Sequence, residues 1–319
     1  MKFGIYPGSA TGTDTGLATG KPDDPVLINK AFDEMEKKGV SIIVRGYIQY
    51  LGDTELDFET PENLIQYSTQ KRKIDLVICY RAKEYNKEDW TNTIRILIQQ
   101  YGERLCSIQI TEEPNLKNVF AADGSFDNIE KALLDGVLAA KTEITKFQYD
   151  IKVGFNAVPS FNPADNFWNI IGGDDYLYFR KAIDYVGLDF YPDVFRPVAE
   201  DGQPNDLAES VKNVLQYFRN VNLQTGKISA SIPIHITENG WSTGNNKTHE
   251  RQANVIEKII RTINKLKREL NIAQYEFFNL RDTDSNNPDI FYQFGILKDD
   301  YSPKPCCNVF CQMIIEYGE

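Results

Sequence analysis

One pattern constrains this chain more than any other feature: a short apolar run followed by an amphipathic stretch recurs eight times between Lys2 and Tyr317. The apolar runs predict strands at 2–6, 41–47, 74–80, 106–112, 151–156, 185–191, 231–237 and 274–280. The amphipathic stretches predict helices at 25–38, 61–72, 87–101, 128–149, 174–183, 206–221, 249–270 and 305–317. Local chemistry supports several of these ends. Gly39 stops the first helix, Thr60 reads as an N-cap for the second, and Pro61 takes the first helical position, where its missing N–H is harmless.

Strands alternating with helices build parallel βαβ units. Eight such units in 319 residues, with no linker-like shift in composition, predict a closed (β/α)8 TIM barrel, an α/β fold in a single domain over residues 1–319. An open, doubly wound sheet is the rival, and it would carry a glycine-rich phosphate loop after its first strand. Gly8-Ser-Ala-Thr-Gly12 matches neither G-x-G-x-x-G nor the P-loop.

Composition narrows the function. Hydrophobic residues make up 41% and charged residues 25%, enough for a buried core and against wholesale disorder. A net charge of −11 excludes a basic nucleic-acid footprint and favours neutral or cationic ligands over polyanions. No run approaches the roughly 18 apolar residues of a membrane span. The start, Met1-Lys-Phe-Gly-Ile-Tyr-Pro7, lacks the apolar stretch and cleavage site of a secretory leader, so a cytoplasmic location is expected, with a secreted mature form as the alternative. Five cysteines, Cys79, Cys106, Cys306, Cys307 and Cys311, are an odd set without zinc-site spacing, and reduced thiols are expected. Cys307 and Cys311 share a helix face but have no nearby His, which makes a poor metal site.

The long connections, 8–24, 113–127, 157–173, 192–205 and 281–304, all follow strands. In a barrel those loops gather at the C-terminal face, where active sites of this fold lie. Two carboxylate motifs sit at such strand ends: Thr111-Glu-Glu-Pro-Asn115 after the fourth strand and Ile236-Thr-Glu-Asn-Gly-Trp241 after the seventh. Side chains alternate along a strand, so Gln109, Thr111 and Glu113 form one set and Glu112 falls on the other face. Glu113 is therefore the one expected to point inward. The same test is ambiguous for Glu238, which shares its phase with Ile234 and Ile236.

Glu113-Pro114-Asn115 and Ile236-Thr-Glu-Asn-Gly-Trp241 resemble the acid/base and nucleophile motifs of clan A glycoside hydrolases, in the right order and with two strands between them. The resemblance implies hydrolysis of a β-glycosidic bond with retention, with Glu113 as acid/base and Glu238 as nucleophile. It implies that Tyr191, at the end of Gly187-Leu-Asp-Phe-Tyr191, and Arg45, on the second strand, support the nucleophile. Phe294-Gly-Ile-Leu297 and Ser302-Pro-Lys-Pro305 also resemble the C-terminal stretches of that clan. Glu112, Asn156, Asp189 and Trp241 complete the expected substrate-binding or supporting set.

Two departures stand out. Glu112 occupies the position where the clan usually has Asn, and the usual Trp after strand eight is missing from Phe277-Phe-Asn-Leu-Arg281, which leaves Trp241 and Trp168 as candidate sugar platforms. A carbohydrate substrate is expected and no cofactor or metal. Two other functions remain possible for such a chain: a glycan-binding barrel without turnover, and a Mg²⁺-dependent barrel enzyme drawing ligands from Glu112, Asp189 and Glu238. With only His235, expected in the core, and His249, expected at a helix start, and with no G-x-S-x-G elbow, a Ser-His-Asp triad is not supported. Asn246-Lys-Thr248 fits an N-glycosylation acceptor by pattern only.

Overall fold

The computed structural model describes every residue of the chain except 14, 37–39, 53–54, 58–60, 163 and 246, together with the backbone alone at 55–57 and 61–62. Gly39, Thr60 and Asn246, to which a helix stop, an N-cap and a glycan acceptor were ascribed, lie outside the described residues.

Eight parallel strands close on themselves: β1 (Lys2–Ile5), β2 (Ile42–Gly52), β3 (Ile74–Tyr80), β4 (Leu105–Ile110), β5 (Lys152–Ala157), β6 (Tyr185–Asp189), β7 (Ile234–Asn239) and β8 (Ile272–Phe277). Each pairs with its successor, and β1 pairs with both β2 and β8, so no barrel edge is left open. A short antiparallel strand, Glu55–Asp57, extends the end of β2. Around this wall stand α1 (Pro25–Glu36), α2 (Pro61–Ile65), α3 (Lys87–Tyr101), α4 (Ile129–Phe147), α5 (Leu177–Ala182), α6 (Leu207–Tyr217), α7 (His249–Leu266) and α8 (Pro305–Tyr317). The (β/α)8 barrel read from the alternation is the fold of the chain.

Local chemistry explains the helix starts. Asn86, Asp206 and Thr248 each accept a hydrogen bond from a backbone N–H of the first turn of α3, α6 and α7. The buried side of α7 carries Val255, Ile256, Ile259, Ile260 and Ile263, the helical spacing that lays one stripe on the barrel.

Some boundaries differ from expectation for identifiable reasons. The second helix was expected to reach residue 72 but ends at Ile65, where the chain leaves in turns closed by Tyr67 N–H to Leu64 O and Ser68 N–H to Ile65 O; Arg72, beyond it, braces α1, its buried guanidinium meeting Asp33 at 2.6 Å and Glu36 at 2.8 Å. The sixth helix ends at Tyr217 and continues as a π turn over Phe218–Asn222. There Arg219 donates to the carbonyl oxygens of Leu270 and Ile232. The fourth strand stops at Ile110, two residues short of Glu112.

The inside of the barrel is unusually polar for this fold, in which branched aliphatic layers are the norm. The Arg45 guanidinium, 1% exposed, lies among Asp75, Gln109 and Glu276. Gly4 makes the room for this layer: a Cβ there would come within 2.6 Å of Oε1 of Glu276.

Candidate active site

Above that layer a cavity of about 700 Å³ opens at the C-terminal ends of the strands. Glu112, Glu113, Asp189 and Glu238 line it together with Tyr47 and Tyr191. Sequence parity had assigned only Glu113 of the adjacent pair to the interior. The structure corrects this: both Glu112 and Glu113 reach the cavity. The alternation lapses because β4 has ended, and Thr111 (φ 67°) and Glu113 (φ 43°) adopt left-handed backbone conformations that non-glycine residues seldom take. A similar break resolves Glu238. The register of β7 against β6 shifts between Ile236 and Glu238, which releases Glu238 from the phase of the two isoleucines.

The loop after β4 is tied down on both sides. Asn115 exchanges two hydrogen bonds with the backbone of Val158, at 2.9 and 3.0 Å. Asp123 accepts from the N–H of Glu112 and of Tyr80, both at 2.7 Å, while pairing with Arg81 at 3.0 Å. Asn156, fully buried on β5, accepts from the N–H of Glu113 at 2.7 Å and donates to Oε1 of Glu112 at 3.0 Å and to Asp189. Thr237 donates to the other oxygen of Asp189 at 2.5 Å. Gly187 permits this crossing: a Cβ there would meet Oγ1 of Thr237 at 2.5 Å and Cβ of Asn156 at 2.7 Å.

Glu238 is held by two phenols. Tyr191 donates to Oε2 at 2.5 Å, and Tyr47 donates to Oε1. Arg45 does not reach Glu238. Its Nε donates to the Tyr47 oxygen at 2.6 Å, so its support runs through Tyr47. Sequence reasoning missed Tyr47, although the residue two positions along a strand from Arg45 shares its face. Gln109 was placed only by its phase, and its amide holds Glu112 at 2.8 Å. Asp123 was missed as well, and carried no motif that would have found it.

Electrostatics raises the carboxyls around Glu238. Glu113 is held well above the ordinary carboxyl range, first by burial and then by the charges of Glu112 and Glu238. Burial likewise raises Glu112 and Asp189, with Glu238 as the next contributor in both. The phenols of Tyr47 and Tyr191 are pushed up by burial, which keeps them protonated as donors.

Oxygens of Glu112, Glu113 and Asp189 lie within 4.8 Å of one another, a set different from the Glu112, Asp189 and Glu238 envisaged for Mg²⁺. Gln109, Asn156 and Thr237 already donate to the oxygens of Glu112 and Asp189, which leaves these residues ill suited to the six-oxygen shell that Mg²⁺ demands.

Trp241 does not line the cavity. It is buried behind the wall, donating to Asp193, with Lys247 and Arg251 over its ring. Trp168 is also packed in the core, against Phe155 and Phe218. The aromatic surface after β8 comes instead from Phe278, which lines the cavity and stacks on Tyr6 at 5.3 Å between centroids. His235 stacks on Tyr185 in the barrel core, and burial lowers its pKa to about 3.

No family model and no curated protein sequence matches the chain. Solved structures do match, among them several glycoside hydrolases. A family 39 glycoside hydrolase from the gut symbiont Bacteroides cellulosilyticus WH2 superposes with TM-score 0.61 at 16% identity, over 99% of this chain and 64% of that one. GH5_18 from Bifidobacterium longum gives 0.65 at 13%, over 99% and 79%. A beta-glucosidase from Exiguobacterium marinum gives 0.61 at 13%, over 99% and 98%. At these identities the likeness is one of fold. The chain spans 64% of the family 39 protein and 48% of a beta-glucuronidase from Faecalibacterium prausnitzii that it also resembles. Among the described residues no helix is long and apolar enough to cross a membrane.

Proposed function

We propose that the chain is a retaining glycoside hydrolase that cleaves β-glycosidic bonds, with Glu238 as nucleophile and Glu113 as acid/base. One observation carries the reading: Glu238, gripped at both oxygens by phenolic hydroxyls, shares a cavity with a carboxyl that burial and neighbouring charge favour keeping protonated. A carboxyl held protonated is what a general acid requires, and a second carboxyl fixed in rotation beside it is placed for attack on the sugar.

In this reading Glu238 attacks the anomeric carbon as Glu113 protonates the departing oxygen, giving an α-linked glycosyl-enzyme and a free alcohol. Water then attacks the anomeric carbon from the opposite face and returns its proton to Glu113, so the sugar leaves with its original configuration. The two phenols fix the carboxylate's rotation before attack, and their bonds weaken as its charge moves to the sugar. Asn156 anchors the backbone of Glu113 and Arg45 orients Tyr47.

Azide separates the roles. A panel of aryl β-glycosides first identifies a sugar that is hydrolysed. Glu113→Ala should then release β-glycosyl azide when azide is added, because azide replaces water on the glycosyl-enzyme. Glu238→Ala should give α-glycosyl azide, because azide takes the nucleophile's place. The opposite pair of products would reverse the roles, and full activity in either variant would defeat the assignment.

A further inference from the structure

The carboxylates and tyrosines occupy only the floor of the cavity. Its walls are apolar, built by loops after β1, β4, β5, β6 and β8, and they include three of the chain's exposed phenylalanines: Phe120 (49%), Phe161 (56%) and Phe195 (56%). Large phenylalanines left facing water around a concave site signal a ligand surface. Phe195 joins the floor to the rim, with its ring 6.0 Å from Tyr191 and 6.1 Å from Phe291.

Several polar side chains in those walls are already engaged by the protein. Thr13 bonds Gly16, Ser210 bonds Asn205, Asp193 receives Trp241 and Arg251, and Arg81 holds three loop carbonyls and Asp123. Arg196, Gln49 and Thr11, whose Oγ1 is unpartnered, are the other polar side chains of these walls, too few for the hydroxyls of a second sugar ring, most of which would be buried against apolar wall at a cost that an apolar group does not carry.

Resting on the glycosidase reading, we infer that the substrate is a monoglycoside of a bulky apolar alcohol: one sugar at the floor and an apolar aglycone along the walls. The direction of departure agrees. The alcohol oxygen takes its proton from Glu113, so the aglycone leaves past the loops after β4 and β5, which carry Leu116, Phe120, Val158 and Phe161.

Methyl and octyl β-glycosides of one sugar release alcohols of similar acidity, so a comparison of the two isolates the aglycone site from the chemistry. Each buried methylene contributes about a fourfold gain, so partial burial of the octyl chain predicts kcat/KM at least about 50-fold above methyl, mostly through KM. Phe120→Ala and Phe161→Ala should each lower the octyl value about tenfold and narrow the octyl-to-methyl ratio. Equal rates for octyl and methyl, with disaccharides such as cellobiose or lactose preferred, would overturn the inference while leaving the glycosidase reading intact. If no glycoside is turned over, that reading fails, and calorimetry decides the cavity separately. Octyl glycoside binding that weakens in both phenylalanine variants supports an apolar ligand site, and no preference for octyl over methyl overturns it.

Discussion

Tyr191, two residues beyond β6, donates its phenolic hydrogen at 2.5 Å to Oε2 of Glu238 near the end of β7. With Tyr47 on the other oxygen, the carboxylate is fixed about its own axis. Hydrogen bonds to a charged group contribute about 1.5–3 kcal/mol, so Tyr47→Phe and Tyr191→Phe should each lower kcat about 10- to 100-fold with little change in KM. Arg45→Lys should lower kcat as well, and its loss should be smaller when added to Tyr47→Phe than in the wild type, because Arg45 reaches Glu238 through that hydroxyl, while its pairing with Glu112 at 3.5 Å is lost in both backgrounds. Additive losses in the double variant would contradict this chain of support.

The pH profile tests Glu112. In the proposed role Glu113 must be protonated to act as an acid, so activity should fall as pH rises through its pKa, which the negative charge of Glu112 helps to keep high. Glu112→Gln removes that charge, and the alkaline limb of kcat/KM should move to lower pH. A profile that falls in height without moving would assign Glu112 a purely structural part.

Buried carboxyls also set the pH dependence of stability. Asp123 is pushed up to about 7 and Glu112 to about 8, against unfolded values near 4. Between those limits the folded state binds more protons than the unfolded chain, so each group's contribution is full below about pH 4 and is lost as pH rises through its folded pKa. The Tm should be higher at pH 5 than at pH 8, and the difference should shrink in Glu112→Gln. A Tm that climbs from pH 5 to pH 8 would contradict this.

How far the sequence reached depended on whether local periodicity or local irregularity decided the outcome. The eight strands and the longer helices were legible because their apolar residues recur at strand or helix spacing, whereas the short second helix carries too little of such a pattern to fix its end. Asp189, Asn156 and Tyr191 could be placed because they end predictable strands. Glu112 was assigned to the wrong face because two left-handed residues, Thr111 and Glu113, lie beyond the strand where alternation no longer applies. Glu238 was ambiguous because a register shift has no signature in residue types. Trp241 looked like a platform from its neighbours in sequence, yet the chain turns it behind Asp193. Phe278, which does face the cavity, looked like ordinary strand.

At the far end of the chain, Lys304 just before α8 pairs with Asp282 at 2.7 Å and donates to Thr243 at 3.1 Å, with both charged side chains fully buried. Removing one member of such a pair strands the other charge, at a cost of about 3–5 kcal/mol. Lys304→Met should therefore lower stability by that amount in chemical denaturation, and Lys304→Met with Asp282→Leu should recover part of it. A loss below about 1 kcal/mol in the single variant would mean that water reaches Asp282.

The proposed mechanism requires a covalent bond between the sugar and Glu238. A 2-deoxy-2-fluoro-β-glycoside with a dinitrophenolate leaving group, carrying the sugar that the aryl glycoside panel identifies, should slow release of the proposed glycosyl-enzyme and allow it to be isolated. Digestion and mass spectrometry should then find one fluoroglycosyl group on the peptide containing Glu238, and none in Glu238→Ala. A label on Glu112 or Glu113, or turnover with inverted product and no label, would contradict the account.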